Sequence, residues 1–581
     1  MDDRPKSMFR GILIIWLIVS CCFTAQAEEH CPRYQEGVKN VYWGDLHVHS
    51  SYSLDAWGFG TKFTPVDAYR FARGEPLDLP GAGVARLDRP LDFVAITDHA
   101  EWFDLMYICT PPTWKNDPYC KTMVEYNSTS EGSKVFAEYV IPTITGPVPR
   151  PNALCAADPT GCEKAGNSQW QRVQDHANEA NQPCEFTSFV GYEWSATPDF
   201  SHSHRNIIFA SDNVTAQAID YMRYPDVEDL WMELQKQCKP EDDCDVIAIP
   251  HNTNMGDGVS FDVETQSELA LQLRSQYERL VEIHQEKGNS ECLAAFGLTD
   301  ESDCDFEISL TKHSRPQSRE DYTQEAWQKM RGTYVRQLLL RGLIAYRRSG
   351  EKQRNPLQLG IVASTDNHSA TPGFVAEEKW QGSVFGVGSL EKSMSRLNMN
   401  PGGLVAVWSE ENTRQSLFAA LKRREVYGTS GPRIGLKFSG SVGGESLTCQ
   451  RGNSADTTLT MGSEFSEARH PPQFMVLTQA DRVPIVSVEI IKGELHEGEL
   501  KESVIKVWEN SEGDMSVCQT WRDPAFSVDS PAFWYARVQQ APTRRWSTVM
   551  CQTQGRCDEF PDAVQSIQEK AWGSPIWYLP D

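Results

Sequence analysis

From about Val41 to Val407 the chain alternates short apolar runs with longer stretches of helical period. The apolar runs predict strands at Val41–His49, Phe93–Thr97, Thr187–Glu193, Asn206–Ala210, Val246–Pro250, Leu280–His284 and Leu359–Ser364. Apolar positions three and four apart predict helices at Pro65–Arg73, Gln169–Ala180, Val227–Gln237, Ser267–Leu273, Glu325–Arg348 and Thr413–Arg423. Several strands are continuously apolar, as expected where both faces are covered. Strand and helix in alternation build a parallel sheet or barrel of α/β class. Cys109 to Cys162 and Gly288 to Thr323 break the pattern and read as ordered insertions that shape a site.

After about Gly431 the period changes. Thr457–Met461, Gln473–Thr478, Val486–Ile491, Val504–Glu509, Phe533–Gln539 and Trp546–Cys551 are short β-rich runs separated by turns. They predict a smaller C-terminal β-sandwich-like domain, the alternative being an extension of the main sheet. The expected division is 1–27, 28–430 and 431–581.

The first segment reads as a signal peptide. Arg4, Lys6 and Arg10 precede the apolar run Gly11 to Val19, and Ala25-Gln26-Ala27 is a small-x-small cleavage site. That run is too short to span a bilayer. Ile18-Val19-Ser20-Cys21 offers a second reading, a lipid anchor on Cys21. Either way the mature chain is exported, to the periplasm or beyond, and no further stretch is long and apolar enough to cross a membrane. Two of the sixteen cysteines lie in this signal, leaving fourteen. An even number in an exported chain predicts disulfides, and nearest-neighbour pairing such as Cys109 with Cys120 is one connectivity. The formal charge of -25 argues against a nucleic-acid partner, whose backbone demands a basic face.

Five clusters carry the chemistry. Gly44 to Ser50 reads G-D-L-H-V-H-S, and the period of two puts His47 and His49 on one face. Asp55 follows. A-I-T-D-H delivers Asp98 and His99, G-Y-E-W delivers Glu193, and His202 and His204 lie just beyond it. I-A-I-P-H-N ends at His251, and S-T-D-N-H places Asp366 and His368 on one face. Imidazoles and carboxylates gathered at strand ends suit divalent metal ions. Five such clusters among thirteen histidines make coincidence a poor explanation. No G-x-S-x-G elbow supports a serine nucleophile.

In order, these motifs resemble the PHP (polymerase and histidinol phosphatase) superfamily over about Val41 to Thr371. Within it they are similar to an exported branch that carries a domain-of-unknown-function label. The resemblance implies a distorted (β/α)7 barrel, two or three divalent ions (Mn, Zn or Fe) and phosphoester hydrolysis. It also implies ligand roles. His47, His49, Glu193 and Asp366 would hold one ion, with Glu193 bridging to a second completed by His204 and His251. Asp55, His99 and His368 would serve a third or share the first. His202 and His204 stay interchangeable at this stage. His284 falls to a supporting or core role, and Asp98 is expected to orient its neighbour through a hydrogen bond.

Glu193 and Asp366 would thus be catalytic through the ions, which activate water as the nucleophile. Arg205 and Lys287 are candidate contacts for a small anionic substrate, the alternative for each being a surface charge or a buried pair. The alternatives are hydrolysis of a C–N or carboxylic ester bond, or a non-catalytic metal- or ligand-binding module.

Overall fold

The computed structural model describes residues 1, 30–32, 34–110, 120, 141–146, 148–149, 151–258, 260–261, 263–294, 302–309, 330–350, 355–382, 387–443, 447–449 and 458–580. The expected signal segment, with Cys21, and the start of the expected Glu325–Arg348 helix lie outside them.

The molecule is mixed α/β. Strand β1 (Asn40–Asp45) runs parallel to β2 (Phe93–Ala95), which runs parallel to β3 (Thr187–Phe189). After Val190 the chain continues as β4 (Gly191–Ala196), which forms a separate antiparallel sheet with β5 (Ser203–Phe209) and β6 (Val246–Pro250). A third sheet pairs β7 (Leu280–Gln285) antiparallel with the short β8 (Gly288–Asn289) and parallel with β9 (Gly360–Ala363).

The expected (β/α)7 barrel is therefore not a continuous ladder among the described residues: its strands fall in three sheets. What joins them lies at one end. Val48 bridges to Asn367, His99 bridges to Glu193, and the Thr97 amide donates to the Val48 carbonyl at 2.8 Å. Beneath these strand ends an apolar plug of Leu46, Phe93, Phe189, Ile249, Val362 and Val405 is essentially excluded from water. Each such side chain contributes about 1.5–3 kcal/mol by burial.

Helices lie close to their expected positions: Pro65–Ala72, Val227–Gln237, Glu268–Tyr277 and Arg414–Arg423. The helix expected from Gln169 starts earlier, at Pro159, where the Asp158 side chain accepts from the Gly161 amide and proline occupies the first turn.

The β-rich segment after 431 is joined to the rest by one eleven-stranded sheet. Strand β10 (Leu404–Ser409) pairs with β1 on one side and β11 (Val426–Thr429) on the other. Beyond β11 come Lys570–Gly573, then Ala532–Gln540, then Ile485–His496 and Glu499–Asp514. A four-stranded sheet containing Gly435–Ser441 and Gln473–Gln479 covers this part, with Phe474 and Trp534 rings 5.0 Å apart. The stretch expected as a strand at Trp546–Cys551 is instead the helix Trp546–Thr553. Its buried residues Ser547, Thr548 and Cys551 recur at helical spacing, which outweighs its β-branched composition.

Seven disulfides join every cysteine from Cys31 onward. Five link near neighbours as expected; Cys31–Cys184 and Cys449–Cys518 close long loops. This content marks an oxidising environment. No described helix is long and apolar enough to cross a membrane.

Candidate metal centre

His47 and His49 leave β1 in extended backbone held by the Val48–Asn367 bridge, and their Nε2 atoms converge to 3.3 Å. Glu193 and Asp366 meet them there. Glu193 Oε2 lies 3.4 Å from His47 Nε2 and 3.2 Å from His49 Nε2; Asp366 Oδ1 lies 3.3 and 3.1 Å from the same two atoms. All four side chains are buried, and these two carboxylate oxygens have no hydrogen-bond partner. Orphaned buried oxygens are costly. Ligand atoms about 2.0–2.2 Å from one divalent ion sit roughly 3.0–3.5 Å from each other, so the quartet has the spacing an ion would satisfy.

The other Glu193 oxygen belongs to a second group. Oε1 is 2.7 Å from His204 Nδ1 and 3.1 Å from His251 Nε2. His204 opens β5 rather than closing a strand. Because β5 is antiparallel to β4 and β6, its first residues reach the end where Glu193 and His251 lie. His202 stacks on His204 at 4.6 Å, and it is His204 that meets the carboxylate. In the third group, His49, His99 and His368 bring their ring nitrogens together, and Asp55 Oδ2 contacts His99 Nε2 at 3.2 Å and His368 Nε2 at 3.0 Å. A further cluster, Asp104 with Cys155 and Cys162, offers no thiolate because those cysteines form a disulfide.

Outer contacts fix the rings. His47 Nδ1 lies 3.2 Å from Glu282, His49 Nδ1 2.8 Å from Ser53 Oγ, His99 Nδ1 2.6 Å from Ser195 Oγ and His204 Nε2 2.8 Å from Thr197 Oγ1. Such partners set ring orientation and ligand basicity. Asp98 does not orient its neighbour His99 side chain to side chain. It accepts from Ser50 and from Ser53 Oγ, so its influence reaches His49 through Ser53.

Asp366 (φ 54°) and Asn252 beside His251 (φ 53°) both hold left-handed backbone, where asparagine and aspartate are the tolerated side chains. The loop opposite Thr365 is built close: a Cβ on Gly402 would sit 2.7 Å from the Thr365 Cα.

Charge alternates through the centre. Burial opposes ionisation of Glu193, yet the histidines around it, the cationic His99 foremost, hold its carboxyl well below the usual range. Burial likewise opposes Asp366, which His47 and Lys287 hold well below. Burial depresses His204 to about 4, leaving a neutral imidazole of the form that binds metal. The Lys287 ammonium pairs with Asp366 Oδ2, to which Gln285 Nε2 donates at 2.7 Å.

Arg205 is a correction. It was expected to contact an anion, but it follows His204 in β5 and so points to the opposite face. There its Nε donates to Glu278 at 2.9 Å, with no exposed side-chain surface. Glu282 and Gln285 escaped the sequence reading. A bulge where β7 meets β9 breaks the period of two between Glu282 and His284. Glu282 and Gln285 therefore both face the centre, while His284 packs against Phe306 and Trp572 at 5.6 and 5.9 Å, a core role.

Fold and site together define a mixed α/β protein with a buried histidine–carboxylate centre able to hold metal. The family model described as "Protein of unknown function (DUF3604)" matches residues 36–509 and 506–580, and the chain belongs to that family. The match runs through position 431 without a break. No curated protein matches the chain. Among solved structures, a two-domain protein from Bacteroides vulgatus containing a predicted PHP-like metal-dependent phosphoesterase is similar over 89% of this chain and 95% of its own. The identity is 11% and the TM-score 0.30. At that score the likeness bears on neither mechanism nor substrate.

Proposed function

We propose that this chain is an exported metal-dependent hydrolase, acting in the periplasm or outside the cell as a phosphoesterase. The observation that carries the reading is the meeting of His47, His49, Glu193 and Asp366 around two orphaned carboxylate oxygens. In this reading those four hold one ion, Glu193 extends to a second with His204 and His251, and Asp55, His99 and His368 serve a third or share the first. The strand ends around them would form a distorted PHP-type barrel. Residues 28–430 carry the centre and 431–581 support it.

Bound divalent ions would supply a water nucleophile at neutral pH and positive charge for the substrate's oxygens. The chain's own residues do the rest. Glu193 ties the first two groups into one unit, so neither shifts without the other. Glu282, Ser53, Ser195 and Thr197 hold the imidazoles in place. Lys287, part-exposed beside Asp366, is the cation available to an anionic substrate. The depth of the ligands excludes bulk water and strengthens each of these contacts.

A panel of phosphomonoesters and phosphodiesters tests the reading. Turnover should vanish with a chelator and return with Mn or Zn. Hydrolysis confined to carboxylic esters or amides would move the chain to another class of metal hydrolase, and metal-loaded protein with no turnover of any of these would contradict catalysis.

A further inference from the structure

Strand β7 turns at Glu286 and Lys287 into β8, and this hairpin carries two of the groups that touch Asp366. The turn is tight. Gly288 has φ +108°, and a Cβ there would lie 2.8 Å from the Glu307 carbonyl oxygen. Three residues past that glycine, Glu291 is buried and its carboxylate is surrounded by donors. Arg336 reaches it from the helix Val335–Ser349 through Nε at 3.2 Å and Nη2 at 2.7 Å. Tyr535 Oη donates at 2.8 Å, Arg537 Nη1 at 3.2 Å and Trp572 Nε1 at 2.7 Å. Those last three residues stand on two strands of the β-rich segment. The network goes on outward, with Arg537 donating to Glu489 at 2.6 Å and Arg336 to Glu502 at 3.1 Å.

A buried ionic network is a poor means of gaining stability, since apolar residues of similar volume serve as well or better; its best-supported use is to select one arrangement. Here the arrangement selected is that of the site hairpin. Glu291 N is tied to Asn289 Oδ1, its carbonyl accepts from the Arg336 amide, and the Ser290 carbonyl accepts from Val335. The hairpin is thus held at its base by the β-rich segment and at its tip by the centre.

We propose that Glu291 is a positioning residue, through which the β-rich segment holds Gln285 and Lys287 against Asp366. The proposal rests on the reading of the centre as a metal site. It gives the segment after 431 a role in that centre although its strands bring no ligand to it.

The test compares Glu291→Gln and the milder Tyr535→Phe with Asp523→Asn. Asp523 is a buried carboxylate of the β-rich segment that pairs with Lys492 at 3.0 Å and accepts from Trp534 Nε1 at 3.1 Å, and it forms no hydrogen bond or ion pair with the described residues of the hairpin. Each purified full-length variant is titrated against a chelator with the metal found in the wild type, Mn2+ or Zn2+, and its thermal midpoint is recorded. Tyr535→Phe and Glu291→Gln should weaken metal binding by roughly tenfold, the lower end for groups that act on ligands from outside. Asp523→Asn should lower the midpoint and leave affinity unchanged. Wild-type affinity in the first two, or an equal loss in Asp523→Asn, overturns the proposal alone. A wild-type chain that binds neither ion overturns the functional reading and the proposal with it.

Discussion

Glu193 presents one carboxylate oxygen to His47 and His49 and the other to His204 and His251, so a single side chain on β4 couples histidines carried by three other strands or their ends. Asp366 has no such redundancy: Oδ1 faces the two histidines just past β1 and Oδ2 faces Lys287 and Gln285. Asp366→Asn and His49→Ala should each lower turnover by more than the ~100-fold typical of losing an outer partner, while circular dichroism stays native. Near-wild-type rates in both would place the site elsewhere. A different residue predicts the pH response of the fold. Burial pushes the Glu569 carboxyl up to about 8 from an ordinary 4.5. A carboxyl raised by folding contributes its full stability below the unfolded value and loses it as pH climbs through the folded one. That contribution is lost between pH 4.5 and pH 8, so across this window the thermal midpoint of Glu569→Gln should slope downward less than that of the wild type. An unchanged slope in the variant would contradict the assignment.

At the scale of the element, strand alternation decides what each residue can do. His204 and Arg205 are neighbours, yet one meets Glu193 and the other is locked to Glu278. Arg205→Met should cost about 3 kcal/mol, the cost of leaving a buried carboxylate short of a partner. In a denaturant titration it should show as a lower midpoint, and KM should stay as in the wild type. A raised KM with unchanged stability would restore Arg205 to the substrate. Alternation is also where the sequence was most legible. The spacing of His47 with His49 was enough to place both on one side, and Asp366 and His368 both reach the centre. It fell short where a local event breaks the period: His284 takes the core role expected of it, but the bulge in β7 turns Glu282 and Gln285 both to the centre, and no residue pattern announces that bulge. The reversal of β5 was hidden for a similar reason. An apolar run shows that a strand exists and is silent on its direction.

Over the whole molecule, the change of texture near Gly431 marked the β-rich segment, but pairing across it could not be read from composition. Lys570–Gly573 comes back to pair with β11, so the last residues of the chain share a sheet with the first strand. Disulfides were legible as a class because export and an even count imply them, whereas Cys31–Cys184 needed the fold to bring its ends together. Thiol counting in denaturant without reductant should find no free cysteine in the mature chain, and several free thiols would contradict an oxidising compartment.

The central claim is that the buried histidine–carboxylate centre binds metal, and elemental analysis of the purified mature chain after metal-replete expression tests it most directly. Two or three transition-metal ions per chain are expected, with occupancy falling in Asp366→Asn. Fewer than one ion per chain in the wild type would contradict it.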